Sequence, residues 1–224
     1  MPACLMTAAA AHSGLQLYEC NSTSACKASC PQRCTQQPPR TPLTIAPAPQ
    51  LAVGHAVYAQ QQAPTGAFLG EYTGELVSSR AGDKAKAVSA VGTHSYHLTY
   101  SEHFSKNGKS TVMRTCVDAA KRGSVMRFVN HSCEPNCVVL GVRTHNSVPR
   151  LCVFSLRVLD EGEELTLDYG AGQDDAPGAT PMPAPEGGKG QATGMKQDVV
   201  SGKMQGVPCC CGSEHCRGSV PFSA

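Results

Sequence analysis

Apolar positions in this chain fall mostly in short runs that are rich in β-branched and aromatic residues. Three such runs, GHAVYA (54–59), AFLGEYTGELVSS (67–79) and HSYHLTY (94–100), lie between turn-forming residues and predict strands. Further on, CVVLGV (137–142) and RLCVFSLRVL (150–159) flank the turn-forming stretch THNSVP, which predicts a hairpin. The pattern therefore predicts a mainly β fold with few short helices.

The stretches between these runs favour loops. Residues 35–53 are rich in proline, which cannot donate to a strand ladder, so only LTI (43–45) is predicted as a short edge strand at best. Residues 80–93 predict a short helix or a loop, and SEHFSKNGKS (101–110) predicts a turn or loop. Residues 171–206 lack an apolar period and are rich in Gly, Pro, Ala and Gln, which predicts a flexible linker.

Length and composition restrict the class of protein. The 224 residues fit one domain with small appendages, and the net charge of +2 gives no electrostatic footprint for nucleic acid. No apolar run approaches the roughly 20 residues that a membrane span requires. The Ala-rich start, residues 1–17, lacks the basic region of a signal peptide and is predicted to be disordered. We therefore expect no direct nucleic-acid partner and no membrane partner.

Eight of the thirteen cysteines fall into two clusters. Without a secretory signal, clustering favours metal binding over disulfides. The groups lie within residues 20–34 and 209–216, and thiolates at such spacings can surround a tetrahedral Zn²⁺. For the first group, a cysteine-containing loop without metal is the alternative.

Three further segments carry a family resemblance because they occur in a fixed order. They are RFVNHSCEPNC (127–137), GEELTLDYG (162–170) and CCCGSEHCRG (209–218). Together they resemble the SET-domain protein lysine methyltransferases, including the post-SET zinc segment of some members. In addition, YECNSTSACKASCPQRC (18–34) is similar to the end of the pre-SET region of the histone H3 lysine 9 type.

The resemblance implies a domain order and a fold. After the disordered residues 1–17, it implies a pre-SET remnant (18–40), a SET domain (41–170), the linker (171–206) and a post-SET zinc segment (207–220). The implied SET fold consists of several small curved sheets with few short helices, zinc-binding Cys-rich flanks and a C-terminal pseudoknot. In this knot, the segment ending at DYG threads under a loop near NHSC. TCVDAAKRGSVMRFVNHSC (115–133) is similar to the family's strand, short helix and motif.

The resemblance also implies S-adenosylmethionine as the cofactor and a protein lysine as the methyl acceptor. The residues implied in cofactor binding are Gly54, His55, Ala56, Tyr96, Arg127, Asn130 and His131. Ala56 stands where the family has glycine, and its methyl group is either tolerated or weakens cofactor binding. Tyr96 is also compatible with a purely structural role as a half-buried strand aromatic.

Tyr169, the tyrosine of the DY motif, is the implied catalytic residue. Leu167 stands where the family usually has Phe or Tyr, a position that controls how many methyl groups are added. Since leucine has no hydroxyl and is smaller than Phe, we predict di- or trimethylation. Asp168 and Glu164 are expected to make structural hydrogen bonds.

Two zinc sites follow from the resemblance. The post-SET site would be formed by Cys133, Cys209, Cys211 and Cys216, with Cys210 as a bystander. Cys20, Cys26 and Cys30 are candidate pre-SET ligands. Ser24 and Gln32 replace family residues there, and only Cys4 precedes the segment, so the family's three-zinc cluster is not expected; one zinc or none remains, or the chain is truncated.

The sequence thus predicts a zinc-containing lysine methyltransferase acting on histone H3, of the lysine 9 type, in chromatin of the nucleus. Two alternatives remain at this point. One is a catalytically weak or inactive chromatin or zinc-binding module derived from such an enzyme, and the other is a methyltransferase of a non-histone protein.

Overall fold

The computed structural model describes residues 17–48, 54–77, 96–106, 108–170 and 207–220. These ranges contain thirteen strands and two short 3₁₀ helices, so the predicted mainly β fold with few helices is confirmed. No helix within them is long and apolar enough to span a membrane. The predictions for residues 1–16, 80–93 and 171–206 concern residues outside the described ranges. Leu17, the last residue of the stretch predicted to be disordered, instead lies in a short strand that pairs with Val142.

The strands are numbered in chain order. They are β1 (Leu17–Tyr18), β2 (Leu43–Pro47), β3 (His55–Ala59), β4 (Phe68–Glu71), β5 (Glu75–Val77), β6 (His97–Lys106), β7 (Lys109–Asp118), β8 (Asn130–His131), β9 (Cys137–Arg143), β10 (Arg150–Ser155), β11 (Thr166–Leu167), β12 (Val207–Pro208) and β13 (Ser219–Val220). The described strands form small sheets in the orders β1-β9-β10-β4, β5-β7-β6, β2-β3, β8-β11 and β12-β13. The 3₁₀ helices cover Cys34–Gln36 and Val125–Phe128.

The predicted hairpin between residues 137 and 159 is confirmed by β9 and β10, which pair antiparallel from Arg150↔Val142 to Ser155↔Cys137. Its residues alternate between two cores, as the strand period of two requires. Leu151 and Val153 join the larger core, whereas Cys152 and Phe154 pack in a smaller cluster on the other face. The hairpin is therefore buried on both sides and forms the centre of the fold.

The prediction of a turn or loop over residues 101–110 is wrong. Residues 97–106 and 109–118 form a long antiparallel hairpin whose turn contains Gly108 with φ +74°. The polar composition of SEHFSK concealed this strand, which is held partly by a buried ion pair. Glu102, 3% exposed, receives two hydrogen bonds of 2.6 Å from the Arg143 guanidinium on β9. The predicted LTI edge strand is present and extends over Leu43–Pro47.

The short helix predicted before the NHSC motif is the 3₁₀ helix Val125–Phe128. Ser124 caps it by accepting a hydrogen bond from the Met126 amide. Met126 is buried directly over Gly70, where φ is +155° and an added Cβ would lie 2.5 Å from Met126 Cε. Glycine at position 70 therefore allows this turn to approach β4 closely and places the following residues over the core.

The DYG segment lies beside the NHSC motif, as the resemblance implies. β11 pairs parallel with β8, with Thr166 opposite Asn130 and Leu167 opposite His131. Asn136 fastens this contact, because its Nδ2 donates to the Glu164 carbonyl at 2.7 Å and its Oδ1 accepts from the Thr166 amide at 2.8 Å. Two motifs that are distant in sequence are thereby held together.

Candidate active site

Tyr169 follows β11 directly and is fixed at two points. Its hydroxyl donates to the carbonyl oxygen of Val129 at 2.8 Å, and its backbone N–H donates to His131 Nδ1 at 3.2 Å. The Tyr169 and His131 rings are 5.4 Å apart between centroids. Both acceptors lie within residues 129–131, at the start of the NHSC motif, so pairing of β8 with β11 determines where the hydroxyl lies.

The hydroxyl of Tyr169 is neutral at physiological pH. Desolvation raises its pKa to about 12, and the nearby Tyr96 and Glu164 groups add to this effect. The residue as a whole keeps 38% of its surface exposed, so the shift reflects the local surroundings of the hydroxyl. A group of this kind can orient a ligand by hydrogen bonding but cannot act as a base near neutral pH.

A cluster of aromatic residues lies next to Tyr169. Tyr72 is buried, donates from its hydroxyl to the Tyr96 carbonyl at 2.9 Å, and has a raised pKa because of desolvation and the proximity of Tyr169. The Arg127 guanidinium lies 4.1 Å from the Tyr96 ring centroid, within cation–π distance. Sequence reasoning did not select Tyr72. It predicts one strand over residues 67–79, whereas the structure has β4 and β5 there, with Tyr72 in the connection between them.

The structure brings several predicted cofactor residues together around Phe128. The Phe128 ring is 6.0 Å from that of His55 and 6.4 Å from that of Tyr96. Asn130 Nδ2 donates to the His55 carbonyl at 3.2 Å and to Glu164 Oε1 at 2.8 Å. These side chains therefore belong to one continuous surface next to Tyr169.

Gly54 and Ala56 differ in their surroundings. Gly54 has φ +84°, and apart from its chain neighbours none of the described residues has an atom within 4 Å of an added Cβ, so the space beside it is open. Ala56 is 0% exposed, and its methyl group is covered by protein atoms. The buried methyl of Ala56 thus lies inside the fold and not on the open surface.

His131 is buried and neutral. Burial lowers its pKa, and the Tyr169 N–H requires Nδ1 to accept, which places the ring proton on Nε2. Nε2 is 3.4 Å from Cys133 Sγ. Both ring nitrogens are therefore engaged within the protein.

The residues near Tyr169 in the DY motif make structural contacts. Leu167 is 5% exposed and belongs to the larger core. Asp168 Oδ1 accepts from Arg217 Nη2 at 2.6 Å and from the Gly170 amide at 2.9 Å. Glu164 Oε1 likewise accepts a hydrogen bond from Asn130 Nδ2 at 2.8 Å.

Three cysteines from residues 207–220 lie beside Cys133 of the NHSC motif. The Sγ atoms of Cys133, Cys209, Cys211 and Cys216 all lie within 4.8 Å of one another. Tetrahedral Zn²⁺ with Zn–S distances of about 2.3 Å places its sulfurs about 3.8 Å apart. The observed Cys133–Cys209 separation is 3.8 Å, so this donor set fits zinc.

A second cysteine group is formed by Cys20, Cys26 and Cys30, whose sulfurs lie within 4.8 Å of one another. Arg33 Nη2 donates to Cys26 Sγ at 3.6 Å and lowers the pKa of that thiol. Ser24 Oγ accepts from the Asn21 amide, and Cys34 packs against the smaller core. Three thiolates fit a zinc ion whose fourth ligand comes from elsewhere.

Comparison with known proteins places this site in a family. The SET domain family matches residues 54–170. The chain is 32% identical over 211 residues to "Probable histone-lysine N-methyltransferase set-23" of Caenorhabditis elegans, covering 93% of this chain and 73% of that protein. It is 36% identical over 162 residues to histone-lysine N-methyltransferase SUV39H2 of Gallus gallus, covering 70% of this chain and 37% of that protein.

A solved structure adds a cofactor complex. Arabidopsis thaliana SUVH6 in complex with SAM is similar with a TM-score of 0.64 and 25% identity, covering 92% of this chain and 38% of that one. The predicted fold and enzyme class are thus confirmed. This chain spans well under half the length of the SUV39H2 and SUVH6 chains. The protein belongs to the SET-domain family of histone-lysine N-methyltransferases.

Proposed function

We propose that this protein transfers methyl groups from S-adenosylmethionine to a lysine side chain of histone H3, of the lysine 9 type, in chromatin. The observation that carries the proposal is the fixed, neutral hydroxyl of Tyr169 beside the surface around Phe128. The relatives named histone-lysine N-methyltransferases support the substrate class, and the SUVH6 complex supports the cofactor. The similarity of residues 18–34 to the end of a pre-SET region supports the lysine 9 type.

The cofactor would lie against Gly54, His55, Tyr96, Arg127, Asn130 and the backbone of His131. Asn130 Nδ2 is engaged with His55 and Glu164, so its side-chain oxygen is the group left to accept from the cofactor's amino groups. Arg127 Nε is buried without a hydrogen-bond partner among the described residues, and a ligand group would satisfy it. When bound, the cofactor supplies a methyl group on a positively charged sulfur.

Tyr169 would orient the acceptor amine. Its O–H is directed to the Val129 carbonyl, so the oxygen lone pairs remain to accept an N–H of the lysine. A lysine is protonated near pH 7 because its ordinary pKa is about 10.4, and apolar burial beside a cation lowers that pKa. The neighbouring rings of Tyr72 and Tyr96 would exclude water and hold the amine in line, so the protein acts mainly by positioning.

Leu167 would permit di- or trimethylation. Its buried side chain carries no hydroxyl that could hold a water molecule next to the amine. The space available for further methyl groups next to the amine would therefore be set by the apolar side chain of Leu167.

Zinc would bind at both cysteine clusters with different roles. The site of Cys133, Cys209, Cys211 and Cys216 would bind the tail to the NHSC motif, since binding a structural zinc contributes folding free energy. Cys20, Cys26 and Cys30 would hold a second ion that orders residues 18–34.

The first test is titration of the zinc-loaded protein with S-adenosylmethionine in a calorimeter, followed by methylation of a histone H3 tail peptide. We expect saturable binding and turnover that is lost when lysine 9 of the peptide is replaced by arginine. A peptide with arginine at position 4 is the matched control and should remain a substrate. Turnover of the peptide with arginine at position 9 would refute lysine 9 as the methylated residue. Absence of cofactor binding would favour the non-catalytic alternative.

A further inference from the structure

The cysteine-rich tail contacts the Tyr169 segment through Arg217. Its Nη2 donates to Asp168 Oδ1 at 2.6 Å, and the Gly170 amide donates to the same oxygen at 2.9 Å. The two neighbours of Tyr169 in sequence are thus joined by one carboxylate, which is held in turn by the tail. A charge-assisted bond of this length is stronger than a neutral one, so it can fix the carboxylate.

A second route joins the same groups from the other side. The Arg217 amide donates to Cys133 Sγ at 3.3 Å, and Cys133 Sγ is 3.4 Å from His131 Nε2. His131 Nδ1 then accepts the Tyr169 N–H at 3.2 Å. Arg217 is therefore connected to the Tyr169 backbone by two chains of contacts, one through Asp168 and one through Cys133 and His131.

We infer that Arg217 is a positioning residue for Tyr169 and acts through Asp168. The inference rests on the proposed methyl transfer at Tyr169. Arg217 fixes the Asp168 carboxylate, the carboxylate fixes the Gly170 amide, and the Tyr169 backbone between them is held in place. Loss of the arginine leaves the Tyr169 hydroxyl less well placed, and a shift of about 1 Å at a reacting group can reduce a rate by about 100-fold.

A second ion pair of the tail makes it possible to distinguish positioning of Tyr169 from attachment of the tail to the core. His215 Nδ1 lies 2.6 Å from Glu134 Oε1, and Glu134 follows Cys133 in the NHSC loop. This pair also attaches the tail to the core, but no hydrogen bond among the described residues joins His215 or Glu134 to Asp168 or to the Tyr169 backbone. Arg217 and His215 therefore offer matched changes on the same short segment.

The kinetic test compares Arg217→Met, Asp168→Asn, the double variant and the control His215→Gln in the zinc-loaded protein. We expect kcat to fall about 10- to 100-fold in both single variants, with the peptide KM within about twofold and zinc content unchanged. The double variant should lose no more than the worse single variant, because both changes break one path. His215→Gln should keep kcat within about twofold of the wild type.

Hydrogen exchange gives a readout that does not depend on turnover. In Arg217→Met, the Tyr169 and Gly170 amides should exchange at least about 10-fold faster, whereas His215→Gln should leave them protected. Unchanged protection in Arg217→Met, additive losses of kcat, or a raised KM with normal kcat would overturn the positioning role. A wild type without turnover would count against the proposed function, while the exchange rates would still decide the role of Arg217.

Discussion

The hydroxyl of Tyr169 donates to the carbonyl oxygen of Val129 over 2.8 Å, and this bond joins the end of the DY motif to the residue before the NHSC motif. The direction of the O–H bond is thereby fixed before any ligand arrives. The oxygen lone pairs then face away from Val129, and preorganisation of this kind is what orienting an amine requires.

Replacing Tyr169 by Phe should lower kcat by about 100-fold, the typical effect of removing one preorganised hydrogen-bonding group. S-adenosylmethionine affinity should change little, because the surface around Phe128 is untouched. Steady-state kinetics and calorimetry measure the two quantities. Tyr18→Phe, at an exposed tyrosine on β1, is the matched control and should retain activity; a similar loss there would contradict the assignment.

Replacing Leu167 by Tyr should shift the product toward monomethyl-lysine. The new hydroxyl can hold a water molecule where further methyl groups would need room. Leu167→Phe, which introduces an aromatic ring without a hydroxyl, is the matched control. Mass spectrometry of the peptide with excess cofactor distinguishes the products. Wild-type enzyme that stops at one methyl group would show that Leu167 does not permit higher methylation.

Replacing Cys133 by Ser should lower the bound zinc by about one ion per chain, because tetrahedral zinc requires four ligands. Residues 207–220 should then become more sensitive to protease, since the tail loses its metal link to the core. Cys210→Ser is the control, as Cys210 is exposed and outside the group of four sulfurs. Zinc analysis by mass spectrometry showing the same loss in both variants would contradict the ligand set.

Glu163 should contribute to stability in a pH-dependent way. Burial opposes its ionisation, but hydrogen bonds from Arg157, the Asp160 amide and Asn136 lower its pKa overall. A lowered folded-state pKa stabilises the protein above the unfolded value of about 4.3, and this stability is lost as the pH falls through the folded-state pKa.

Melting temperatures measured from pH 7 to pH 3 test this expectation. Glu163→Gln should be less stable than the wild type at neutral pH, and the difference should shrink in acid. Glu161→Gln, at an exposed position two residues away, serves as the control. A difference that stays constant with pH would show that ionisation of Glu163 contributes nothing.

The sequence predicted those elements whose stability comes from local patterns. Runs such as CVVLGV and RLCVFSLRVL carry their own strand signal, so β9 and β10 were predictable. By contrast, β6 is polar in its second half. Its buried Glu102 forms an ion pair with Arg143 on β9, which is 41 positions away in the sequence. No local pattern encodes such a pair.

The candidate site divides in the same way. Tyr169, Asn130 and Cys133 lie in motifs and were selected by resemblance. Tyr72 and Arg217 acquire their roles only from contacts with Tyr96 and Asp168, the latter 49 positions from Arg217. Such contacts depend on how the sheets pack and are not visible along the chain.

The hydrogen bond from the Thr166 amide to Asn136 also bears on the order of folding. It joins residues 30 positions apart, and parallel pairing of β8 with β11 depends on the intervening chain having already folded back. Closing a long loop costs entropy before its contacts form, so the β9–β10 hairpin should form early and the β8–β11 pair late. A nascent chain would therefore bring Tyr169, which follows β11, next to the NHSC motif in one of the last steps of folding.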